Sequence, residues 1–407
     1  MGKLPKKHYL NWDSPLLSLS AEWLLSLSSE RSLDLSDTLL LLPTQQSGRR
    51  LREALACAMD KRGGGLFSPR MATPSILLSR DGAQDLADES ACIWHWVHIL
   101  KAKNLKQFHA LFPRIPTRID FNWCRLIARS LHELRGKLVD AGLDCAAVAS
   151  MDCCEEKSRW RELVKLESDY RESLQNVGLI DVHDAKRELA ASPELSPSVK
   201  RIFLMGVPDL TPLLQTALEN LINKGSTVEL IVFGPLGGNG LFDEWGRPIP
   251  AKWLNRKLSL NTEQLHPALD EKAQANGIAE VLKRYASKVY DTAAVGVADA
   301  RVITHLEHRL SQLDIRNFNP AGEALKRSSL YAFTKSLLVV IQNPNFTNSD
   351  IFLRLPDSWT WLAGEDEFIE PTQLLAGLDE LRERHIPSSL IAATNLDFVK
   401  GRESENI

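Results

Sequence analysis

Hydrophobic residues fall along this chain in alternating rhythms. Between positions 36 and 44, Leu39, Leu40, Leu41 and Leu42 form a continuous apolar run behind Ser36 and Asp37, stopped by Pro43. That is the pattern of a strand buried on both faces of a parallel sheet. Just downstream, Leu51, Leu55 and Ala58 recur at helical spacing over 45–59, with Arg49, Arg50 and Arg52 crowding the first turns. Strand, short turn and helix make half of a βαβ unit. Gly63, Gly64 and Gly65 then break the chain, Pro69 and Pro74 keep it extended, and Ser75-Ile76-Leu77-Leu78 predicts another short strand.

From about 85 to 189 the rhythm is helical throughout. Trp123, Leu126, Ile127, Leu131, Leu134 and Leu138 line one face over 122–139, and Trp160, Leu163, Val164, Leu166, Tyr170 and Leu174 do the same in the next helix. A helical stretch of roughly 100 residues is long enough to be a subdomain. Strand patterns return at 200–206 and 227–234 with a helix over 211–223 between them, which is a complete βαβ unit with a right-handed crossover. After a Gly/Pro-rich loop at 234–250, a helix at 273–287, a strand at 293–297 and a helix at 302–313 predict a second α/β unit. The boundary falls between 255 and 272.

Composition narrows the class without naming a function. The 407 residues exceed what one core holds, roughly 250 to 300. With 44% hydrophobic and 25% charged residues the chain is globular in character. Its net charge of -3 gives no global pull toward nucleic acid, so any such contact has to come from local basic clusters. No apolar run approaches the roughly 20 residues of a membrane span. The basic start, Met1 to Lys7, leads into no apolar segment. The six cysteines show no CxxC pairing, as expected of reduced thiols in a cytoplasm.

A two-part α/β chain raises nucleotide hydrolysis, which needs a phosphate-cradling loop with lysine and acidic groups for Mg²⁺. No GxxxxGK[ST] occurs, and residues 12–31 hold no glycine. The stretch 234–240 is glycine-rich but lacks lysine and a hydroxyl at the needed offsets; it reads as a surface loop, with an atypical phosphate loop at 237–240 as the alternative. At the end of the 201–205 strand stands Gly206-Val207-Pro208-Asp209-Leu210-Thr211-Pro212. Asp209 alone does not replace a Mg²⁺-binding pair; Asp209 or Thr211 is expected to cap the next helix, with Pro212 in its first turn. Cys92, His95 and His98, at i, i+3 and i+6, suit a metal poorly, because three ligands at that spacing do not converge on one face. Lys101, Lys103 and Lys106 with Phe108 and His109 fit either a solvated face or a strand-binding one.

Taken in order, Leu40-Leu41-Leu42-Pro43-Thr44 with Arg49, Arg50, Leu51 and Ala54, then Trp160-Arg161-Glu162-Leu163 to Asp181, then Met205 to Pro212, resemble AddB-type proteins, the inactivated superfamily 1 helicase subunits of bacterial helicase-nucleases. Phe242 to Gly246, Gln274 to Ala279 and Val295 to Asp299 continue the similarity. The resemblance implies two RecA-like lobes with parallel sheets, the first built from 1–84 and 191–260 around a helical insertion at 85–190, the second from 261–407 in part, ending in a helical segment. It implies a cytoplasmic role in double-strand-break repair without ATP hydrolysis, with DNA (single-stranded or duplex ends) and a motor and nuclease subunit as partners. It also implies a PD-(D/E)XK nuclease, for which nothing up to Ile407 provides a core, so nuclease activity is not assigned to these residues. No metal or cofactor is expected in this chain. Thr44 would meet the DNA backbone after the first-lobe strand, with Arg49, Arg50 and Arg52 adding charge; the alternative is a helix cap beside a solvated face. A pure protein-interaction scaffold and an active helicase or exonuclease component remain the competing functions.

Overall fold

In the computed structural model the chain divides into two compact units, Met1–Ser259 and Leu260–Ile407. The structure describes residues 4–28, 31–80, 85–235, 238–257, 260–285, 293–322, 324–363 and 370–394.

The first unit carries strands β1 (Lys6–Leu10), β2 (Leu33–Asp34), β3 (Thr38–Leu41), β4 (Leu66–Phe67), β5 (Arg70–Ala72), β6 (Arg201–Met205) and β7 (Thr227–Phe233). Five of them form a sheet in the order β1-β7-β6-β3-β5, parallel at every pairing, while β2 and β4 pair with each other. A parallel sheet needs both faces covered, and the side-chain alternation of its strands supplies two cores. On one face Leu40, Phe203, Met205 and Ile231 pack against Leu24 of helix α1 (Leu16–Leu25) and against Leu51, Leu55 and Met59 of α2 (Gln45–Lys61). Between β5 and β6 the chain departs into α3 (Glu89–Ala102), α4 (Phe121–Asp140), α5 (Cys145–Ser150), α6 (Lys157–Gln175) and α7 (Val182–Ala191), which enclose their own core around Trp96, Leu100, Leu166 and Tyr170. The other sheet face, with Leu39, Leu41, Ile202, Leu204 and Leu230, is covered by Leu218 and Leu221 of α8 (Pro212–Asn223).

The α/β class, the buried strand at 38–41, the helical insertion and the 201–233 βαβ unit are as the sequence pattern predicts. Two predicted strands are corrected. Residues 75–78 belong to a 3-10 helix, Pro74–Leu78, and the strand lies earlier at Arg70–Ala72. Pro74 at the first position of that turn favours helical φ and donates no ladder hydrogen bond, while Leu77 and Leu78 are buried by turning inward. Residues 293–297 are irregular. Gly296 and the alanines favour extension weakly, Val295 is exposed, and no described strand lies beside them to complete a ladder.

Among the described residues of the second unit the regular elements are all helical. Glu271–Lys283 and Arg301–Gln312 pack through Ala275, Ala279 and Leu282 against Val302, Leu306 and Leu310, and helices at Ser329–Gln342, Phe346–Leu353, Pro356–Ala363 and Pro371–His385 follow. The parallel sheet expected of a second RecA-like lobe is therefore not found in these residues. β1, conversely, is absent from the sequence pattern: Lys6 and Lys7 hide it in a basic run, and only its pairing with β7 makes it a strand.

Directly after β6 the chain turns at Gly206 with φ +65°, where an added Cβ would lie 3.1 Å from the Phe233 ring. Gly206→Ala should therefore cost about 1 to 3 kcal/mol through left-handed strain and that close approach, read as a lower urea midpoint at unchanged m-value. An unchanged midpoint would mean that the turn relaxes freely.

Candidate nucleic-acid interface

In an open parallel sheet, ligands collect outside the carboxyl ends of the strands, where successive crossovers leave in opposite directions. Here β3 leads out toward β5 and β6 leads back toward β7, so that point lies between β3 and β6. Thr44 sits there as the N-cap of α2. Its hydroxyl accepts from the Ser47 N–H at 3.1 Å and lies 2.8 Å from the Ser47 hydroxyl, so the helix-capping role expected as an alternative is present.

A cleft of about 420 Å³ runs between the first turns of α2 and strand β5, from Arg70 to Thr73. Arg49, Arg52 and Arg70 line it together with the hydroxyl residues Thr44, Thr73 and Ser75, and among the described residues no acidic one lines it. None of the three arginines forms an ion pair among the described residues. Gly48 closes the floor: a Cβ there would meet Met71 Cβ at 3.4 Å, so glycine lets α2 lie against β5. Of the residues predicted to touch a backbone, Thr44, Arg49 and Arg52 thus come together. Arg50 is not among the lining residues and instead faces Glu53 at 3.5 Å. Arg70 escapes a sequence reading because it enters from a strand 18 positions beyond Arg52, and only the β3–β5 pairing unites them.

The carboxyl ends of β6 and β7 offer different chemistry. A recess of about 670 Å³ there is walled by Trp12, Pro15, Leu204, Val207, Phe242 and Trp245, and no charged side chain among the described residues lines it. Thr211 caps α8, accepting from Leu214 N–H at 3.4 Å with Pro212 at its first turn, and Asp209 is exposed before it. Gly237 lies outside the described residues, and Gly238–Leu241 forms a 3-10 turn. Nothing described in this recess could neutralise a triphosphate.

A third polar cluster is buried in the insertion. Arg135 of α4 donates to Glu167 Oε1 at 2.7 Å and to both Asp184 oxygens at 3.0 Å, and reaches Asp181 Oδ1 at 2.7 Å. Asp181, the N-cap of α7, also accepts from Tyr170 Oη at 2.5 Å and from the His183 and Asp184 N–H groups. Burial would raise the Asp181 carboxyl, but the Arg135 charge and the Tyr170 hydroxyl overcome it and hold it at about 2. His183 is buried against His132, with ring centroids 4.5 Å apart and neither ring nitrogen bonded, and burial pushes it down to about 4. Gly136 makes room for that ring, since a Cβ would come within 2.9 Å of it.

Cys92, His132 and Asp181 each place one potential ligand atom within 4.8 Å of the others. A metal would have to displace Tyr170 from Asp181 and deprotonate Cys92, whose thiol burial pushes up to about 11, so the arrangement as it stands is a hydrogen-bonded core. The sequence triplet separates: His95 bonds Ser173 at 2.8 Å and His98 is exposed.

Comparison with protein-family models gives no match, and no curated protein matches the chain either.

Two outcomes test the buried cluster. His183 sits at about 4 when folded against an ordinary 6.5, so below 6.5 the unfolded chain takes the proton first and stability falls toward pH 4. Asp181, at about 2 against 3.8, adds a loss that begins below 3.8. The melting temperature should thus drop between about pH 6.5 and 4, less steeply in His183→Gln; a flat profile would remove the neutral buried imidazole. Arg135→Met strands buried Asp181 without its cation and leaves Glu167 and Asp184 to Arg171 alone, and should cost about 3 to 5 kcal/mol in chemical denaturation, whereas a loss within experimental error would show the carboxylates to be solvated.

Proposed function

We propose that this chain is a helicase-like, non-hydrolysing DNA-handling subunit whose basic cleft grips the phosphate backbone of a nucleic acid. The observation that carries the proposal is the cleft between α2 and β5, lined by Arg49, Arg52 and Arg70 together with Thr44 at the α2 N-cap and by no acidic side chain among the described residues. Helix N-termini and arginine forks both suit phosphate oxygens, and interactions of this kind position a strand without reading its sequence.

Support comes also from the contrast between the two ends of the sheet. A parallel sheet of this kind is compatible with a RecA-like lobe, yet the recess beside β6 and β7 is apolar where a motor would hold nucleotide phosphates. The resemblance to inactivated helicase subunits accounts for that pairing of a basic strand-binding edge with an apolar one. On this reading a partner subunit supplies ATP hydrolysis and the nuclease, in double-strand-break repair, and a second RecA-like lobe in 261–407 remains part of the proposal.

Fluorescence anisotropy of the purified chain with single-strand-tailed DNA, titrated against salt, tests this. Wild type should bind with a clear log–log salt slope, and Arg49→Ala/Arg52→Ala/Arg70→Ala should flatten that slope by about one for each phosphate no longer neutralised. Thr44→Ser should retain binding and stability, while Thr44→Ala should cost about 1 kcal/mol of stability by removing the helix cap. Binding unaltered by the triple substitution, or no binding by wild type, would overturn the proposal.

A further inference from the structure

On the helical insertion, α3 and α4 expose two aromatic rings that the core does not use. α3 buries Cys92, Trp96, Val97, Ile99 and Leu100, which leaves Trp94 on the outer side, 62% exposed. Phe121, at the start of α4, is 43% exposed, and its ring centroid lies 6.2 Å from that of Trp94 at an interplanar angle of 49°. The two rings line a shallow recess of about 210 Å³, smaller than the roughly 300 Å³ at which drug-sized pockets begin.

The recess is also basic. Arg125 and Arg129 line it one helical turn apart on α4, and Lys101 stands 5.6 Å over the Phe121 ring. Like charges at i and i+4 repel, and neither arginine forms an ion pair among the described residues. An anion carrying a flat ring would satisfy both features at once.

We propose that this recess is a stacking platform for one unpaired base of a nucleic-acid strand, with Arg125 and Arg129 taking its flanking phosphates. The proposal rests on the nucleic-acid reading above and extends it to a second site that selects single strands. Stacking needs an open base face, which a duplex covers, and every base offers one, so the platform is indifferent to sequence. Trp94 lies outside the buried core of the insertion, so its replacement leaves that core intact.

Anisotropy with three probes of equal phosphate count tests the platform: an oligodeoxythymidylate, an abasic strand and a duplex. Wild type should favour the thymidylate over the abasic strand by roughly fivefold or more. Trp94→Ala should abolish that preference while leaving the abasic affinity and the salt slope unchanged, because stacking releases no counterions; Trp94→Phe should restore most of it. Equal wild-type binding of the thymidylate and abasic strands, or a preference that survives Trp94→Ala, overturns the platform. The Arg49/Arg52/Arg70 variant separates the two proposals. If that variant weakens all probes and no base preference exists, the backbone cleft stands and the platform falls; if the preference follows Trp94 while the arginine variant binds as wild type does, the reverse holds. Absence of all binding removes both.

Discussion

Everything functional in the first unit follows from the sheet being parallel throughout. Parallel strands cannot be joined by tight turns, so each connection must cross a face and every strand ends at the same edge. In the order β1-β7-β6-β3-β5, that single edge receives the loops after all five strands. Hydrophobic burial on the two faces fixes the strands, and the edge is left to polar and apolar loops that the core does not constrain. The basic cleft and the apolar recess are two outcomes of that freedom, one at each side of the same edge.

The insertion is held by a different force. Its helices bury Arg135 among Glu167, Asp181 and Asp184, with Arg171 adding a second cation at 2.9 Å from Asp184. Buried ions gain little net stability over apolar packing, but leaving one unpaired is strongly destabilising, so arrangements that separate these partners are disfavoured. Charges drawn from α4, α6 and α7 therefore fix the register of these helices, while the stacked rings of Trp96 and Tyr170, 4.1 Å apart, join α3 to α6. The rigid scaffold so formed displays Trp94 and Phe121 outward.

Legibility in the sequence tracks the periodicity of burial. Leu39 to Leu42 announce a central strand because both faces are buried, and Leu51 and Leu55 announce α2 because only one is. β1 stays hidden, since an edge strand with half-exposed Lys7, His8 and Tyr9 has no full apolar run. The 293–297 segment misleads for the opposite reason: valines alternate, but a strand exists only if a neighbour pairs with it. For the site, Thr44, Arg49 and Arg52 are readable as one helix start, whereas Arg70 joins them only through strand pairing. The Arg135 cluster leaves no local trace, because its members are scattered over α4, α6 and α7.

The sheet order also sets when the fold can close during synthesis. β1 precedes the other described strands in synthesis, yet its neighbour in the sheet is β7, the last of them to be made. At roughly 5 to 20 residues per second, the interval between them is about ten to forty seconds. Within that interval β3 also waits for β6, while the insertion can complete its own core first. A nascent chain halted between Met205 and β7 can therefore pair β5, β3 and β6 beside a finished helical body, while β1 still lacks its neighbour.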